Sequence, residues 1–258
     1  MKVVILAGGF GTRISEESTY KPKPMIEIGG MPILWHIMKC YSYYGFNEFV
    51  ICAGYKQHII KEWFANYYLY NSNITFDYTN GKNEVVIHKQ NVDPWKVTVV
   101  DTGLNTMTGG RIKRIRDYVG EETFCMTYGD AVCDVDLKKV LEYHENHGKI
   151  ATITSVKLAQ NKGVLDIDGN DLIKSFREKS NDDDTRINGG FMVLEPSVFN
   201  YINGDDTIFE RYPMEKLSSE NELIAYKHDG FWQCMDTKRE MEQLINLIES
   251  KKAPWIKW

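Results

Sequence analysis

The chain has 258 residues, 43% hydrophobic and 26% charged, the composition of a globular protein large enough to bury a substantial core. Its 36 acidic residues outweigh 31 basic ones to give a formal charge of −5, which argues against nucleic acid as the main partner, since that would need a basic face. The cysteines at 40, 52, 125, 133 and 234 have no C-x-x-C spacing, no targeting segment leads the chain, and no run reaches the ~18 apolar residues of a membrane span, so reduced thiols and a cytoplasmic location are expected.

The first predicted element is Val3-Val4-Ile5-Leu6-Ala7, short, apolar and β-branched, as in a buried central strand. Gly8-Gly9-Phe10-Gly11-Thr12-Arg13 follows. Its glycines let the backbone approach a ligand closely, their amide N–H groups make a concave anion site, and Arg13 adds a fork of donors suited to phosphate. Residues Leu6 to Arg13 are therefore the expected seat of a nucleotide's phosphates. Ile14 stands where G-x-G-x-x-G needs its third glycine, and no Gly-Lys-Ser/Thr triplet follows, so neither a dinucleotide loop nor a Walker loop fits. Lys21-Pro22-Lys23-Pro24 then holds two lysines in a stiff segment, which suits a cation that must meet a charge.

Apolar spacing at Ile33, Leu34, Ile37, Met38 and Tyr41 predicts a helix from Pro32 to Tyr44, stopped at Gly45. Glu48–Ala53 reads as a strand and Gln57–Leu69 as a helix whose Trp63, Phe64, Tyr67 and Tyr68 pack on the core or on a neighbouring subunit. This alternation predicts parallel β-α-β units. Asn80-Gly81, between short strands at Ile74–Tyr78 and Glu84–His88, predicts an inserted hairpin or flap near 70–100. After a strand at Lys96–Asp101, the run Thr102–Arg111 is rich in glycine and hydroxyls and leads into a helix over Arg111–Val119. The N-terminus of that helix is expected to offer free N–H groups to an anion or a base edge. The strand Thr123–Tyr128 ends in Gly129-Asp130. An acidic residue just past a parallel strand lies on the ligand-binding edge of a sheet, and Mg²⁺ is held by one or two carboxylates plus phosphates, so Asp130 is the expected metal ligand.

Asp134-Val135-Asp136 has the form of a D-x-D metal motif, but Asp136 is better read as the N-cap of a helix over Leu137–His147. The second half has a more antiparallel pattern. A strand is expected at Ile150–Val156 and a strand pair at Gly163–Ile167 and Leu172–Glu178 around Asp168-Gly169-Asn170, followed by a solvated acidic loop at Asn181–Asp184. An aromatic strand then ends in Asp236, which could cap a helix over Thr237–Ser250. The apolar tail Ala253–Trp258 is expected to be docked.

The run L-A-G-G-F-G-T-R followed by K-P-K-P-M-I-E-I-G-G-M-P-I-L closely resembles the signature of the sugar-phosphate nucleotidylyltransferases, G-G-x-G-T-R-L-x-P-x-T and then K-P. Ile14, Glu16 and Ser18 replace its leucine, proline and last threonine. Together with the β-α-β alternation, the expected fold is α/β: a Rossmann-like mixed, mainly parallel central sheet flanked by helices, with a smaller antiparallel sugar-binding part. One domain would cover residues 1–258, with a nucleotide-binding half to about 135 and a sugar-phosphate-binding half beyond.

The resemblance implies two catalytic cations, Arg13 and, by its spacing from Arg13, Lys23 rather than Lys21. The runs V-D-T-G-x-x-x-M-T-G-G-R and F-W-Q-x-M-D-T look like the family's cytidylyl branch. That likeness implies nucleotide contacts at Thr106, Arg111 and Gly129 and a second Mg²⁺ ligand at Asp236. Glu178-Lys179 and Asn188-Gly189-Gly190 resemble the elements that cradle the sugar phosphate, although Ser180 replaces the proline of E-K-P. The implied reaction is Mg²⁺-assisted cytidylyl transfer from CTP to α-D-glucose 1-phosphate in a homo-oligomer, a hexamer by resemblance. The alternatives are the same chemistry on UTP or dTTP, a glycosyltransferase using Asp134 and Asp136, and a non-catalytic relative that retains the fold.

Overall fold

Val3, Ile5 and Ala7 pack into one buried cluster and Val4 and Leu6 into another, on opposite faces of the same strand. A strand covered on both faces belongs at the centre of a layered α/β domain. The computed structural model describes residues 1–14, 18–157, 164–167, 173–177 and 186–258. Among them, the main sheet has eight strands: β1 (Lys2–Ala7), β2 (Glu48–Ala53), β3 (Lys96–Asp101), β4 (Phe124–Tyr128), β5 (Ala151–Lys157), β6 (Arg186–Asn188), β7 (Met192–Leu194) and β8 (Leu223–His228).

β1 lies between β2 and β4 and runs parallel to both, and β3 continues the parallel order beyond β2. β7 pairs antiparallel with β4, and β5 pairs antiparallel with both β6 and β7 and parallel with β8. The antiparallel strands of the second half thus extend the same sheet. The expected pair beyond them exists as Val164–Ile167 against Ile173–Arg177, antiparallel. Its turn at 168–170 and the acidic loop at 181–184 lie outside the described residues.

The helix Ile33–Tyr43 presses Ile33, Leu34, Ile37 and Tyr41 into the core, and Gly45, at φ 93°, takes the left-handed turn that ends it. In the helix Gln57–Tyr70, Trp63 and Phe64 pack on the core. Tyr67 stacks on Trp95 and donates to Asp93 at 2.6 Å, whereas Tyr68 is exposed. The predicted hairpin is present as Ser72–Asp77 against Glu84–Gln90, with Asn80 and Gly81 at φ 55° and 73°.

One helix differs from its expectation. The segment read as Arg111–Val119 starts at Thr108 and breaks at Ile115 into Thr108–Arg114 and Arg116–Val119. Asp136 caps Leu137–His147 by accepting from the amides of Lys138 at 3.1 Å and Lys139 at 3.2 Å. Thr237, with Glu240 three residues on, forms a capping box for Lys238–Glu249, so the cap falls to Thr237 and leaves Asp236 for other work. The C-terminal tail is docked: Trp255 is 1% exposed and stacks on Phe231. No described helix is long and apolar enough to cross a membrane.

Candidate active site

A cavity of about 540 Å³ opens at the C-terminal ends of β1 and β4. Leu6 to Thr12 form its floor, Lys23 and Pro24 one wall, Leu104 to Thr108 with Arg111 another, and Tyr128, Gly129, Asp130 and Asp236 a third. Arg13 follows Thr12 in the 3-10 turn Thr12–Ile14. Gly129 donates its N–H to the Leu6 carbonyl at 2.9 Å, and a Cβ there would lie 2.8 Å from that oxygen, so only glycine lets β1 and β4 close so tightly.

Two carboxylates meet one ammonium at the mouth of this cavity. Lys23 Nζ lies 2.7 Å from Asp130 Oδ2 and 2.6 Å from Asp236 Oδ1. Pro22 enters a short 3-10 turn, Lys23–Met25, that buries the lysine stem. The aspartates come from a two-stranded ribbon. Ala131–Cys133 pairs antiparallel with Trp232–Cys234, and Met235 donates its N–H to the Asp130 carbonyl at 2.8 Å, which sets Asp130 and Asp236 side by side. Burial pulls the Lys23 ammonium down, but the two carboxylates outweigh it and hold it above its ordinary value. Lys21, by contrast, sits on the surface in a 2.7 Å pair with Glu27.

The Lys23–Asp130–Asp236 cluster carries a net charge of −1, from two carboxylates and one ammonium. Two hard oxygen donors converging on one point beside the Gly8–Thr12 loop fit a divalent cation such as Mg²⁺, which takes few protein ligands and fills its shell with water and phosphate oxygens. The D-x-D reading finds its carboxylates engaged elsewhere. Asp134 Oδ1 accepts from Phe231 N–H and meets His228 Nε2, each at 2.8 Å, while Asp136 caps its helix.

The wall built from Leu104 to Thr108 overturns one expectation. Three N–H groups at the start of Thr108–Arg114 are taken up by the chain itself. Those of Met107 and Gly109 donate at 2.8 Å to the carbonyls of Asp205 and Thr207, and that of Gly110 donates to Thr207 at 3.3 Å. Gly109 and Gly110 are needed for this docking, because a Cβ would lie 2.7 Å from Thr207 O and 2.5 Å from Asp205 Cα respectively. The segment 203–211 thus docks on the element that walls the cavity, a contact that its own sequence did not signal.

Arg111 lines the cavity and also braces the loop above it. Its Nη1 donates to Thr102 Oγ1 at 2.8 Å and to the Gly103 carbonyl at 2.7 Å, and its Nη2 to the Leu104 carbonyl at 3.2 Å. Burial pulls its guanidinium below the usual arginine range, far too little to discharge it. Gly8 and Gly54 flank this side chain: a Cβ on either would lie within 2.5 Å of Nη1. Gly54, packed behind this arginine, is a supporting residue that sequence reasoning missed, and the signal was its place directly after β2.

Asn188 and Gly189 stand next to the cavity wall. Asn188 Nδ2 donates to Tyr128 Oη at 3.2 Å, and Gly189 accepts from Trp232 Nε1 at 2.7 Å. Gly190 and Phe191, at φ 73° and 46°, turn the chain between β6 and β7. Glu178 and Lys179 lie outside the described residues.

A glycine loop, a lysine between two aspartates and a loop at 104–108 braced by Arg111 now share one cavity. The Nucleotidyl transferase family model matches residues 2–237. The chain belongs to the nucleotidyl transferase family. The glucose-1-phosphate cytidylyltransferase of Salmonella typhi is 52% identical to this nucleotidyl transferase, with 100% of each chain covered. The probable glucose-1-phosphate cytidylyltransferase of Bacillus subtilis is 41% identical over the same full coverage. HddC from Yersinia pseudotuberculosis shares the fold, with a TM-score of 0.68 at 24% identity over 96% of this chain and 99% of that one.

Proposed function

We propose that this nucleotidyl transferase moves the cytidylyl group of CTP onto α-D-glucose 1-phosphate, giving CDP-glucose and pyrophosphate. The observation that carries the reading is the meeting of Lys23, Asp130 and Asp236 beside the Gly8–Thr12 loop in one cavity. The full-length relatives named for this activity support the choice of base and sugar.

In the reaction a phosphate oxygen of glucose 1-phosphate attacks the α-phosphorus of CTP. A P–O bond forms, the bond from the α-phosphorus to the bridging oxygen breaks, and pyrophosphate leaves with its electron pair. The attacking oxygen is already anionic, so no general base is required. The difficulty is to hold two polyanions together, which makes positioning and charge neutralisation the main sources of rate. Amides of Gly8 to Thr12 receive the triphosphate, Arg13 is assigned to the departing pyrophosphate, and Lys23 to the α-phosphate and the incoming phosphate. Thr106 and Arg111 are read as the base wall and Gly129 as a close approach to the nucleotide. Glu178, Lys179, Asn188 and Gly189 are read as the sugar-phosphate cradle. Held by Asp130 and Asp236, Mg²⁺ would supply charge neutralisation across the triphosphate.

The division into a nucleotide half to about residue 135 and a sugar-phosphate half beyond it follows these assignments. Exposed Phe76, Tyr78, Val85 and Val86 on the hairpin support assembly with copies of this chain, and sedimentation velocity tests the hexamer. Pyrophosphate release with glucose 1-phosphate, measured against CTP, UTP, dTTP, ATP and GTP, tests the function. Release with CTP at least tenfold faster than with the others is expected, and equal or greater release with another nucleotide rejects the cytidylyl assignment.

A further inference from the structure

The phenol of Tyr128, on the wall of the cavity, has one proton, and that proton is committed. Tyr128 Oη donates to Glu210 Oε1 at 2.7 Å, and an ionised carboxylate can only accept. The other oxygen, Glu210 Oε2, accepts from Thr108 Oγ1 at 2.6 Å, and Thr108 Oγ1 accepts in turn from the Phe209 N–H at 2.9 Å. On the far side, Asn188 Nδ2 donates to Tyr128 Oη at 3.2 Å, while Asn188 Oδ1 accepts from the Gly190 N–H at 2.9 Å. A chain of hydrogen bonds therefore runs from the base-side loop through Glu210 and Tyr128 to the break between β6 and β7.

This directionality decides what the wall can bind. A phenol oxygen both donates and accepts. Asn188 Nδ2 donates to the Tyr128 oxygen at 3.2 Å, a long bond, and with its own proton committed that oxygen can meet a further group only as an acceptor. An oxygen that can only accept repels a phosphate oxygen and suits a hydroxyl. Tyr128 ends β4, the strand that β7 adjoins, and its side-chain neighbour Asn188 belongs to the sugar-phosphate side of the sheet. We propose that Glu210 is a positioning residue that fixes the Tyr128 phenol as the hydrogen-bond acceptor for a hydroxyl of the sugar phosphate. The inference rests on the function proposed above and adds a residue, Glu210, from the segment that docks on the base-side helix.

The test is steady-state pyrophosphate release by the full chain, varying CTP and glucose 1-phosphate in turn. Wild type is compared with Glu210→Gln, Tyr128→Phe and the double variant. A glutamine amide can donate to the phenol oxygen, which would turn the tyrosine proton into the cavity. Each single variant is expected to raise KM for glucose 1-phosphate about tenfold, as for one lost hydrogen bond in a partly buried site, and to leave KM for CTP within about twofold. The double variant is expected to be no worse than either single one, because both remove the same contact. An unchanged KM for glucose 1-phosphate in Tyr128→Phe overturns the proposal, even if Glu210→Gln fails to fold. A rise confined to KM for CTP also overturns it, moving the contact to the ribose, and additive effects in the double variant overturn the coupling. If wild type releases no pyrophosphate from CTP and glucose 1-phosphate, the functional reading itself fails and this inference falls with it.

Discussion

Lys23 and Asp236, 213 positions apart in the chain, form an ion pair of 2.6 Å. Neither end is adjustable. Pro22 and Pro24 fix the turn that carries the lysine, and the ribbon formed with Ala131–Cys133 fixes the aspartate next to Asp130. One ammonium is so placed that it touches two carboxylates from a separate ribbon at once. Under the proposed function its value lies in what would join it, a phosphate from one side and a divalent cation from the other.

Lys23→Ala is expected to lower kcat by roughly 10²–10³, the scale for removing one preorganised charge from a transition state of this kind. Circular dichroism should report an unchanged fold, since Pro22 and Pro24 still fix the turn once the side chain is removed. Turnover within about twofold of wild type would remove Lys23 from the mechanism.

Replacing either carboxylate should weaken cation binding without unfolding the chain. In Asp130→Asn and Asp236→Asn, the Mg²⁺ concentration for half-maximal activity is expected to rise at least about tenfold. The upward shift of melting temperature that MgCl₂ and CTP give together should shrink in the same variants, a readout independent of turnover. Equal thermal shifts in wild type and both variants would place the cation elsewhere.

Gly54→Ala should damage the nucleotide side of the site. The added Cβ would lie 2.5 Å from Arg111 Nη1, 2.6 Å from the Gly103 carbonyl and 2.8 Å from the Gly8 carbonyl. Two of these neighbours are backbone, so the loop after β3 must move. A destabilisation of about 1–3 kcal/mol is expected from overpacking, with KM for CTP raised more than KM for glucose 1-phosphate. Urea unfolding and the two KM values check it.

Much of this was legible in the sequence because local chemistry dictated it. The Val3–Ala7 run, the Asn80-Gly81 turn and the Asp136 cap each follow from residues within a few positions of one another, and each is found where periodicity or turn chemistry puts it. The docked segment 203–211 was not legible, because nothing in Asp205 to Glu210 announces that its carbonyls will fill the N–H groups of a helix some 100 positions earlier. Thr108-Gly109-Gly110 reads as a ligand loop, and the glycines turn out to admit backbone. The β-strand after Val119 and the aspartate beyond it were readable, but not that a ribbon from residues 232–234 would bring the second aspartate beside the first.

Acid should loosen the docked tail through one histidine. His36 is 3% exposed, and its Nε2 lies 2.9 Å from the Ile28 carbonyl, so that nitrogen carries the proton and Nδ1 is bare to accept from Trp255 Nε1 at 3.4 Å. Burial lowers the His36 pKa to about 4 despite the opposing pull of the Ile28 carbonyl. In the unfolded chain the same ring titrates near 6.5, so between those values the unfolded state binds the extra proton and stability falls as pH falls. From pH 7 to pH 5 this single group should remove about 2 kcal/mol of folding stability, and the loss should level off below its folded pKa. The tail feels it first, because protonating Nδ1 deletes the acceptor of Trp255. Urea unfolding at pH 7 and pH 5, followed by tryptophan fluorescence, measures the difference. In His36→Gln, which cannot take up the proton, the gap between the two pH values should shrink by that amount; an unchanged gap would mean that another group carries the acid sensitivity.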